Sequence, residues 1–202
     1  MVEAIQDFVI YLRDVKKTSK NTEISYQRDL MQLEEYLRAQ GISEPDKVTK
    51  TSLNSYILYM ERNGKATTTI SRELAAIKAF FHYQFKEGRI KRDPAELLKA
   101  PKVEKKAPVI LTVEEVQSLL AQPEGKNPKE IRDKAMLELL YATGIRVSEL
   151  INLRLSDINL SVGFLVCRDG QRERTIPFGK KASKALAVYL EQARSHLLKG
   201  QE

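Results

Sequence analysis

An arginine follows a helix-terminating glycine in the stretch YATGIRVSEL, residues 141–150. Gly144 is a natural C-cap, so Arg146 is predicted to fall in the first turn of a new helix that runs through Leu153. A guanidinium there adds a bidentate donor to a helix start that already favours anions, as activation of a phosphodiester requires. The alternative is an ordinary surface arginine that pairs with Glu149 one turn further on.

Two other predicted helix starts are rich in small polar and basic residues. They lie in the stretches SKNTEISYQRDL and GKATTTISREL. Free backbone N–H groups at a helix start suit phosphates, and hydroxyl and amide side chains suit groove contacts. The candidate contacts are Lys20, Asn21, Thr22, Tyr26 and Arg28 in the first stretch, and Lys65, Thr67, Thr68, Thr69, Ser71 and Arg72 in the second. The alternative is helix capping beside a solvated face.

Composition narrows the function classes. The net charge of +7 and the pI of about 9.4 favour polyanionic partners. No apolar run is long enough to span a membrane and the N-terminus does not have a signal-peptide pattern, so we expect a cytoplasmic protein with no membrane partner. The single cysteine, Cys167, excludes an internal disulfide, and with only His82 and His196 beside it no zinc site is expected. An all-carboxylate magnesium site stays open.

The apolar pattern predicts a helical first domain, a linker and a second domain. Residues 1–88 carry four stripes at helical spacing, formed by Ile5, Phe8, Val9, Leu12 and Val15; Ile24, Leu30, Leu33 and Leu37; Leu53, Ile57 and Met60; and Ile70, Leu74, Ile77 and Phe81. Residues 89–107 are predicted to form a short helix and a basic linker. Residues 108–202 form the second domain.

The second domain is predicted to mix helices with a hairpin. Thr112 and Glu115 have capping-box spacing, and Asn127 and Pro128 suit the N-cap and first position of the next helix. The run FLVCRDGQRERTIPF, with its Asp-Gly pair, predicts a β-hairpin. A last helix is predicted near residues 181–198, with Leu186, Leu190, Ala193 and Leu197 on one face.

The sequence LLYATGIRVSELINLRLSDIN resembles the segment that carries the first catalytic arginine of the tyrosine recombinases, the phage-integrase family, and most closely of its bacterial Xer-type members. The resemblance continues in SKNTEISYQRDLMQLEEYL, in TTTISRELAAIKAFFHYQFKEGRI and in the linker DPAELLKAPK. It covers essentially the whole chain in order.

The resemblance implies a mainly α fold. An N-terminal SAM-like four-helix core-binding domain is expected, followed by the N-terminal part of an α+β catalytic domain with a small β-hairpin or sheet. In such enzymes the two domains clamp double-stranded DNA, protomers act as tetramers, and a tyrosine forms a 3′-phosphotyrosyl link without a metal or other cofactor. Arg146 matches the first arginine, which neutralises the non-bridging oxygens, and Glu149 matches an acid that orients the site.

Two departures from the family pattern limit the expected chemistry. The family's hairpin carries a lysine that protonates the leaving group, whereas this turn reads Arg168, Asp169, Gly170, Gln171 and Arg172. Arginine is a poor general acid near neutrality, so Arg172 is a candidate for only part of that role. Arg168 and Arg172 remain candidates to hold phosphate or groove, and an Asp169 carboxylate would repel phosphate.

The second departure is the absence of the family's His-x-x-Arg motif and of a tyrosine downstream of it. Tyr141 matches a structural tyrosine of the family and is expected to pack in the core. The chain is therefore expected to be part of a recombinase, a monomer in solution, that binds DNA without cleaving it. The alternatives are a naturally short, non-catalytic DNA-binding protein that occupies recombination sites or regulates a promoter, and a helical protein-interaction module. The codons that follow Glu202 would distinguish part of a recombinase from a naturally short DNA-binding protein.

Overall fold

A computed structural model describes residues 1–103, 107–169 and 172–198. The chain divides into two compact units, Met1–Ala107 and Pro108–Glu202. Most of the described residues are helical, and one small antiparallel sheet lies in the second unit. The predicted fold class, mainly helical with a four-helix N-terminal domain and a small sheet, is confirmed.

The first unit contains the four predicted α-helices. They are α1 (Val2–Asp14), α2 (Lys20–Ala39), α3 (Lys50–Arg62) and α4 (Thr67–Lys86), with a 3-10 turn at Pro45–Lys47 between α2 and α3. The Ser19 side chain caps α2 by accepting the N–H of Thr22, and Thr49 and Ser52 form a capping box at the start of α3. Capping satisfies N–H groups that have no partner within the helix, which fixes where these two helices begin.

Apolar side chains from all four helices form the core of the first unit. Phe8 of α1 packs edge-on against Phe80 of α4, with ring centroids 5.7 Å apart. Two predicted stripe residues, Val15 and Ile24, are exposed instead. Val15 follows the last residue of α1, and Ile24 lies nine residues before Leu33, which places it on the opposite side of α2.

The segment after α4 differs from the predicted short helix. Residues 89–100 form turns and bends, and the Asp93 side chain accepts the N–H of Ala95 at 2.8 Å. Ile90, Ala95 and Leu98 are buried in the core of the first unit. A short local hydrogen bond at Asp93 competes with helical pairing, and three apolar contacts hold the segment against the helices.

The second unit begins with α5 (Val113–Ala121) and α6 (Pro128–Thr143), followed by the short α7 (Val147–Ile151) and a 3-10 turn at Leu155–Asp157. The predicted capping box of Thr112 and Glu115 is confirmed, as is the Asn127 cap before Pro128. Both devices start a helix where the sequence placed it.

The sheet of the second unit has the order β1-β2-β3, all antiparallel. Its strands are β1 (Ile158–Asn159), β2 (Phe164–Asp169) and β3 (Arg172–Pro177), and β2 and β3 form the predicted hairpin. In the register of the sheet, Leu165 of the central strand lies opposite Ile158 and Ile176. The side chain of Asp169 and the turn residues Gly170 and Gln171 lie outside the described part of the chain.

The last helical stretch runs from α8 (Lys180–Val188) through a π-helical segment (Tyr189–Ala193) to α9 (Arg194–Leu197). Of the predicted face, Leu186 and Ala193 are buried and the other two residues are half-buried. The Leu186 side chain joins the core that Ala135, Leu139 and Leu165 form between helices and sheet. The π-helical segment interrupts the single helix predicted here.

The expectation that Tyr141 packs in the core is wrong, because its side chain is 62% exposed. It lies two residues beyond the buried Leu139 on α6, and two helical positions turn a side chain to roughly the opposite side. In the part of the chain that the structure describes, no helix is both long enough and apolar enough to cross a membrane.

Candidate functional site

The corner between α6 and α7 is built on Gly144. Its backbone is left-handed, with φ 62° and ψ 21°, and its N–H donates to the Leu140 carbonyl at 2.9 Å. The next side chain, Ile145, is buried in the core of the second unit and anchors the turn. Arg146 is consequently the N-cap of α7, one position earlier than predicted, and α7 ends at Ile151 rather than Leu153.

We expect Gly144→Ala to destabilise the second unit by about 1–2 kcal/mol, because a Cβ is disfavoured in the left-handed conformation. Apart from its two chain neighbours, no described residue has a heavy atom within 4 Å of the position a Cβ would take, so the penalty comes from the backbone rather than from a clash. Urea unfolding of the whole chain measures it. Gly144→Asn is the control, since asparagine tolerates this conformation and should cost distinctly less. Equal losses in the two variants would contradict the backbone explanation.

Glu149 joins two arginines at this corner. Its carboxylate accepts the backbone N–H of Arg146 at 2.7 Å and lies 3.4 Å from the Nη1 of the same residue. Both of its oxygens also accept from Nη2 of Arg174 on β3, each at 2.8 Å. The backbone N–H of Arg146 is the main cause that lowers the pKa of Glu149, and the charge of Arg174 lowers it further against partial burial. Glu149 therefore stays ionised and fixes both arginines.

A second carboxylate, Asp157, organises the neighbouring part of the site. It accepts a hydrogen bond from the backbone N–H of Arg154 at 3.0 Å and forms an ion pair with Arg168. Arg168 also donates from Nε to Glu173 at 2.7 Å. The hydrogen bond from Arg154 is the main cause that lowers the pKa of Asp157, followed by the hydrogen bond from Arg168. Arg172 lies exposed at the first position of β3, next to the turn.

These groups line a cleft of about 640 Å³ in the second unit. Its charged lining consists of Arg146, Glu149, Arg154, Asp157 and Arg168, so three guanidinium groups face two carboxylates. A surplus of guanidinium groups held by carboxylates is an arrangement that binds a phosphate oxygen by charge-assisted hydrogen bonds. Arg174 supports this cleft from β3 through Glu149.

Sequence reasoning missed three residues of this site: Arg154, Asp157 and Arg174. Asp157 lies three residues after Arg154, the spacing at which an acid accepts the N–H of a capping residue, and the structure forms that bond, so this pair had a local signal. Arg174 had none, because its contact with Glu149 spans 25 residues and depends on how β3 lies beside α7.

The first unit places the N-terminal part of α4 beside the middle of α2. The Arg72 guanidinium forms an ion pair with Asp29 of α2, and the Lys65 ammonium donates to Gln32 of α2 at 2.5 Å. Arg28 lies close enough for its charge to lower the pKa of Asp29 against the dominant effect of burial, which raises it. The second predicted basic stretch thus contacts α2 at Asp29, within the first stretch, and at Gln32, just after it.

The remaining candidates in the first unit divide between exposed and structural positions. Lys20, Asn21, Arg28, Thr67 and Thr68 are exposed, whereas Thr69 is half-buried. Thr22 bonds to the capping Ser19, with the two hydroxyl oxygens 2.9 Å apart. Tyr26 packs against the core, and Ser71 donates to the Pro101 carbonyl at 3.4 Å. DNA contact at each of these positions stays a prediction.

The fold and the guanidinium-lined cleft define a two-unit, mainly helical protein with a candidate phosphate site. The Phage integrase family matches residues 110–201, and the family's N-terminal SAM-like domain matches residues 5–88. Tyrosine recombinase XerD of Halalkalibacterium halodurans is 42% identical over 199 residues, which cover 98% of this chain and 67% of XerD. The chain belongs to the phage-integrase family of tyrosine recombinases.

A protein of Caldanaerobacter subterraneus subsp. tengcongensis that is named as a tyrosine recombinase is 45% identical over 190 residues. The match covers 94% of this chain but 65% of that relative, so the chain spans less than two thirds of its length.

Solved structures of integrases share the fold at low sequence identity. A lambda integrase dimer bound to a COC′ core site matches with a TM-score of 0.71 at 18% identity, covering 93% of this chain and 66% of that one. The Tn1549 transposon integrase in complex with a circular intermediate DNA matches with a TM-score of 0.70 at 18% identity, covering 98% and 66%.

Proposed function

We propose that this chain binds double-stranded DNA as part of a site-specific tyrosine recombinase. The observation that carries the proposal is the joining of Arg146 and Arg174 by Glu149 beside a guanidinium-lined cleft. Family membership supports it, and the lambda and Tn1549 integrases of the same fold are bound to DNA. Partner protomers are part of the proposal, since the matching lambda integrase is a dimer.

In this proposal Arg146 neutralises the non-bridging oxygens of the scissile phosphate. A preorganised guanidinium stabilises charge as it develops, because the site is already oriented before the reaction begins. Glu149 is the orienting acid, and its two arginine partners hold it in place. Arg172 supplies positive charge from the hairpin without acting as a general acid, since a guanidinium is a poor proton donor.

The same proposal separates DNA binding from DNA cleavage. Residues 1–202 contain no His-x-x-Arg motif followed by a tyrosine, so we expect this chain to bind duplex DNA without forming a covalent adduct. The lysine-free turn between Arg168 and Arg172 favours a second candidate, a non-catalytic DNA-binding protein that occupies recombination sites or regulates transcription. A covalent adduct between this chain and a suicide DNA substrate would contradict both versions.

DNA binding is tested by replacing two exposed basic residues in the N-terminal half of α2. Lys20→Gln with Arg28→Gln should weaken duplex binding, and the slope of log affinity against log salt should fall by about two, at about 0.9 per lost phosphate contact. Fluorescence anisotropy between about 50 and 200 mM salt measures both.

The matched control replaces two exposed basic residues at the C-terminal ends of helices, with Arg38→Gln near the end of α2 and Lys86→Gln at the end of α4. The net charge changes equally in both double variants, so the control slope should stay near that of the unmodified chain. Equal losses in both would show charge attraction without a defined surface, and no binding at low salt would reject the proposed function.

A further inference from the structure

Two carboxylates are almost completely buried inside the helical first unit. Asp29 of α2 is 0% exposed and Glu73 of α4 is 1% exposed. Removing an ionised carboxylate from water is costly unless a charged partner and hydrogen bonds compensate for it. A carboxylate adds nothing to an apolar core, so the presence of these two residues needs another explanation.

Glu73 is satisfied on both of its oxygens. Oε2 accepts the Tyr56 hydroxyl at 2.9 Å, and Oε1 accepts the Lys65 ammonium at 2.7 Å. The same ammonium also donates to Gln32. Lys65 stands directly before Ala66, the N-cap of α4, and its side chain is only partly buried. The buried acid therefore fixes a partly exposed cation at a helix start.

Asp29 has the same relation to Arg72. Its Oδ2 accepts from Nη1 of Arg72, whose side chain remains 37% exposed. Its Oδ1 is buried and accepts no hydrogen bond within the described part of the chain. An aspartate with one unsatisfied oxygen is not placed here to maximise stability, because such an oxygen carries an uncompensated desolvation cost. The contribution of Asp29 that remains is to orient the Arg72 side chain.

We propose that Asp29 and Glu73 are positioning residues that hold Arg72 and Lys65 at the start of α4 for contact with DNA phosphates. The inference rests on the proposed function. Because two acidic and two basic side chains carry no net charge together, the acids would act by preorganising the basic side chains and not by increasing the attraction of the protein for DNA. Long basic side chains lose rotamer freedom when they grip a ligand, and ion pairs formed beforehand reduce that loss on binding. A guanidinium has more N–H donors than one carboxylate oxygen occupies, so donors remain for phosphate.

The direction in which one substitution changes DNA affinity distinguishes a positioning role from simple electrostatic attraction. Asp29→Asn removes a negative charge, which by attraction alone leaves DNA affinity equal or higher. If Asp29 positions Arg72, the same variant should bind duplex DNA about two- to tenfold more weakly, the loss expected for ordering one side chain on binding. Asp46→Asn is the matched control, because Asp46 is exposed in the turn before α3 and the charge change is identical. Its affinity should be unchanged or higher.

The experiment uses the full 202-residue chain and a duplex probe in fluorescence anisotropy, with circular dichroism to compare helix content. Asp29→Asn binding as tightly as Asp46→Asn overturns the inference, while weaker binding by Asp29→Asn alone supports it. If the unmodified chain does not bind the duplex, the proposed function fails and the inference fails with it. A normal wild-type affinity with no loss in the variant rejects the inference only.

Two further measurements keep the test independent of stability. The Arg72 Nε–H signal in a ¹⁵N–¹H spectrum should be distinct in the unmodified chain and move to the averaged position of mobile arginines in Asp29→Asn; an unmoved signal overturns positioning. Glu73→Gln keeps the length of the side chain but has no charge and a single acceptor oxygen where Glu73 offers one to Tyr56 and one to Lys65, so it should weaken binding in the same direction. Unchanged or tighter binding by Glu73→Gln overturns the part of the inference that concerns Lys65.

Discussion

Replacing Arg72 with glutamine is expected to destabilise the first unit by about 3 kcal/mol at neutral pH. The substitution leaves the carboxylate of Asp29 buried without its charged partner, and this is the costly way to break a buried ion pair. We choose the lower end of the usual range because the Arg72 side chain is itself 37% exposed, so water can enter where the guanidinium stood. Urea unfolding followed by circular dichroism measures the loss.

The loss should depend on pH in a defined direction. Burial raises the pKa of Asp29, the ion pair with Arg72 lowers it, the charge of Glu73 raises it and that of Arg28 lowers it. Without Arg72 the folded pKa rises further above its unfolded value. A raised acid pKa means that stability is fully present below the unfolded pKa, about 3.9, and is lost as pH rises through the folded pKa. The difference between the two proteins should therefore be large near neutrality and disappear towards about pH 4.

Two variants control for the loss of a side chain as such. Arg72→Gln combined with Asp29→Asn has no buried charge to leave unpaired, so most of the stability should return. Arg62→Gln removes an exposed arginine near the end of α3 and should change stability by no more than about 0.5 kcal/mol. A loss in Arg72→Gln that is independent of pH, or that Asp29→Asn does not relieve, would contradict the buried-charge explanation.

The helices and the hairpin could be predicted because their causes are local. Ser19, Thr112 and Asn127 cap helices whose apolar faces repeat at helical spacing, and the Asp-Gly pair joins two extended runs. The segment after Gly88 could not, because its conformation depends on where Ile90 and Leu98 pack in the core of the first unit. Exposure of Tyr141 likewise depends on which face of α6 the sheet covers.

The site was predictable only in part for the same reason. Arg146 and Glu149 lie three residues apart, and the Glu149 carboxylate accepts the Arg146 N–H wherever that helix forms. Arg174 and Asp29 act across 25 and 43 residues of sequence, and Glu73 contacts Lys65 across 8 residues and Tyr56 across 17. A charged residue beside buried apolar ones, such as Asp29 before Leu30 and Glu73 before Leu74, is the one signal in the sequence that marks such contacts in advance.

Leu165→Ala is the second substitution with a large expected effect, about 2–5 kcal/mol, and it acts on the second unit. Leu165 is 0% exposed at the centre of the three-stranded sheet, between Ile158 and Ile176, so its truncation removes buried apolar contacts and leaves a cavity that the sheet cannot fully close. The same strand pair carries the arginines at 168, 172 and 174. The sheet thus holds Arg174 against Glu149 of α7 and Arg168 against Asp157.

Hydrogen exchange locates this loss within the chain. Amides of β2 and β3 should exchange faster in Leu165→Ala, while those of α1 to α4 should keep their protection, because the first unit has a separate hydrophobic core. Val162→Ala is the control, since Val162 is exposed in the turn before β2 and should cost no more than about 0.5 kcal/mol. Equal loss of protection in α4 and β2 would show that the two cores unfold together. Faster exchange confined to the sheet would instead assign the stability of the arginine-bearing strands to the core around Leu165.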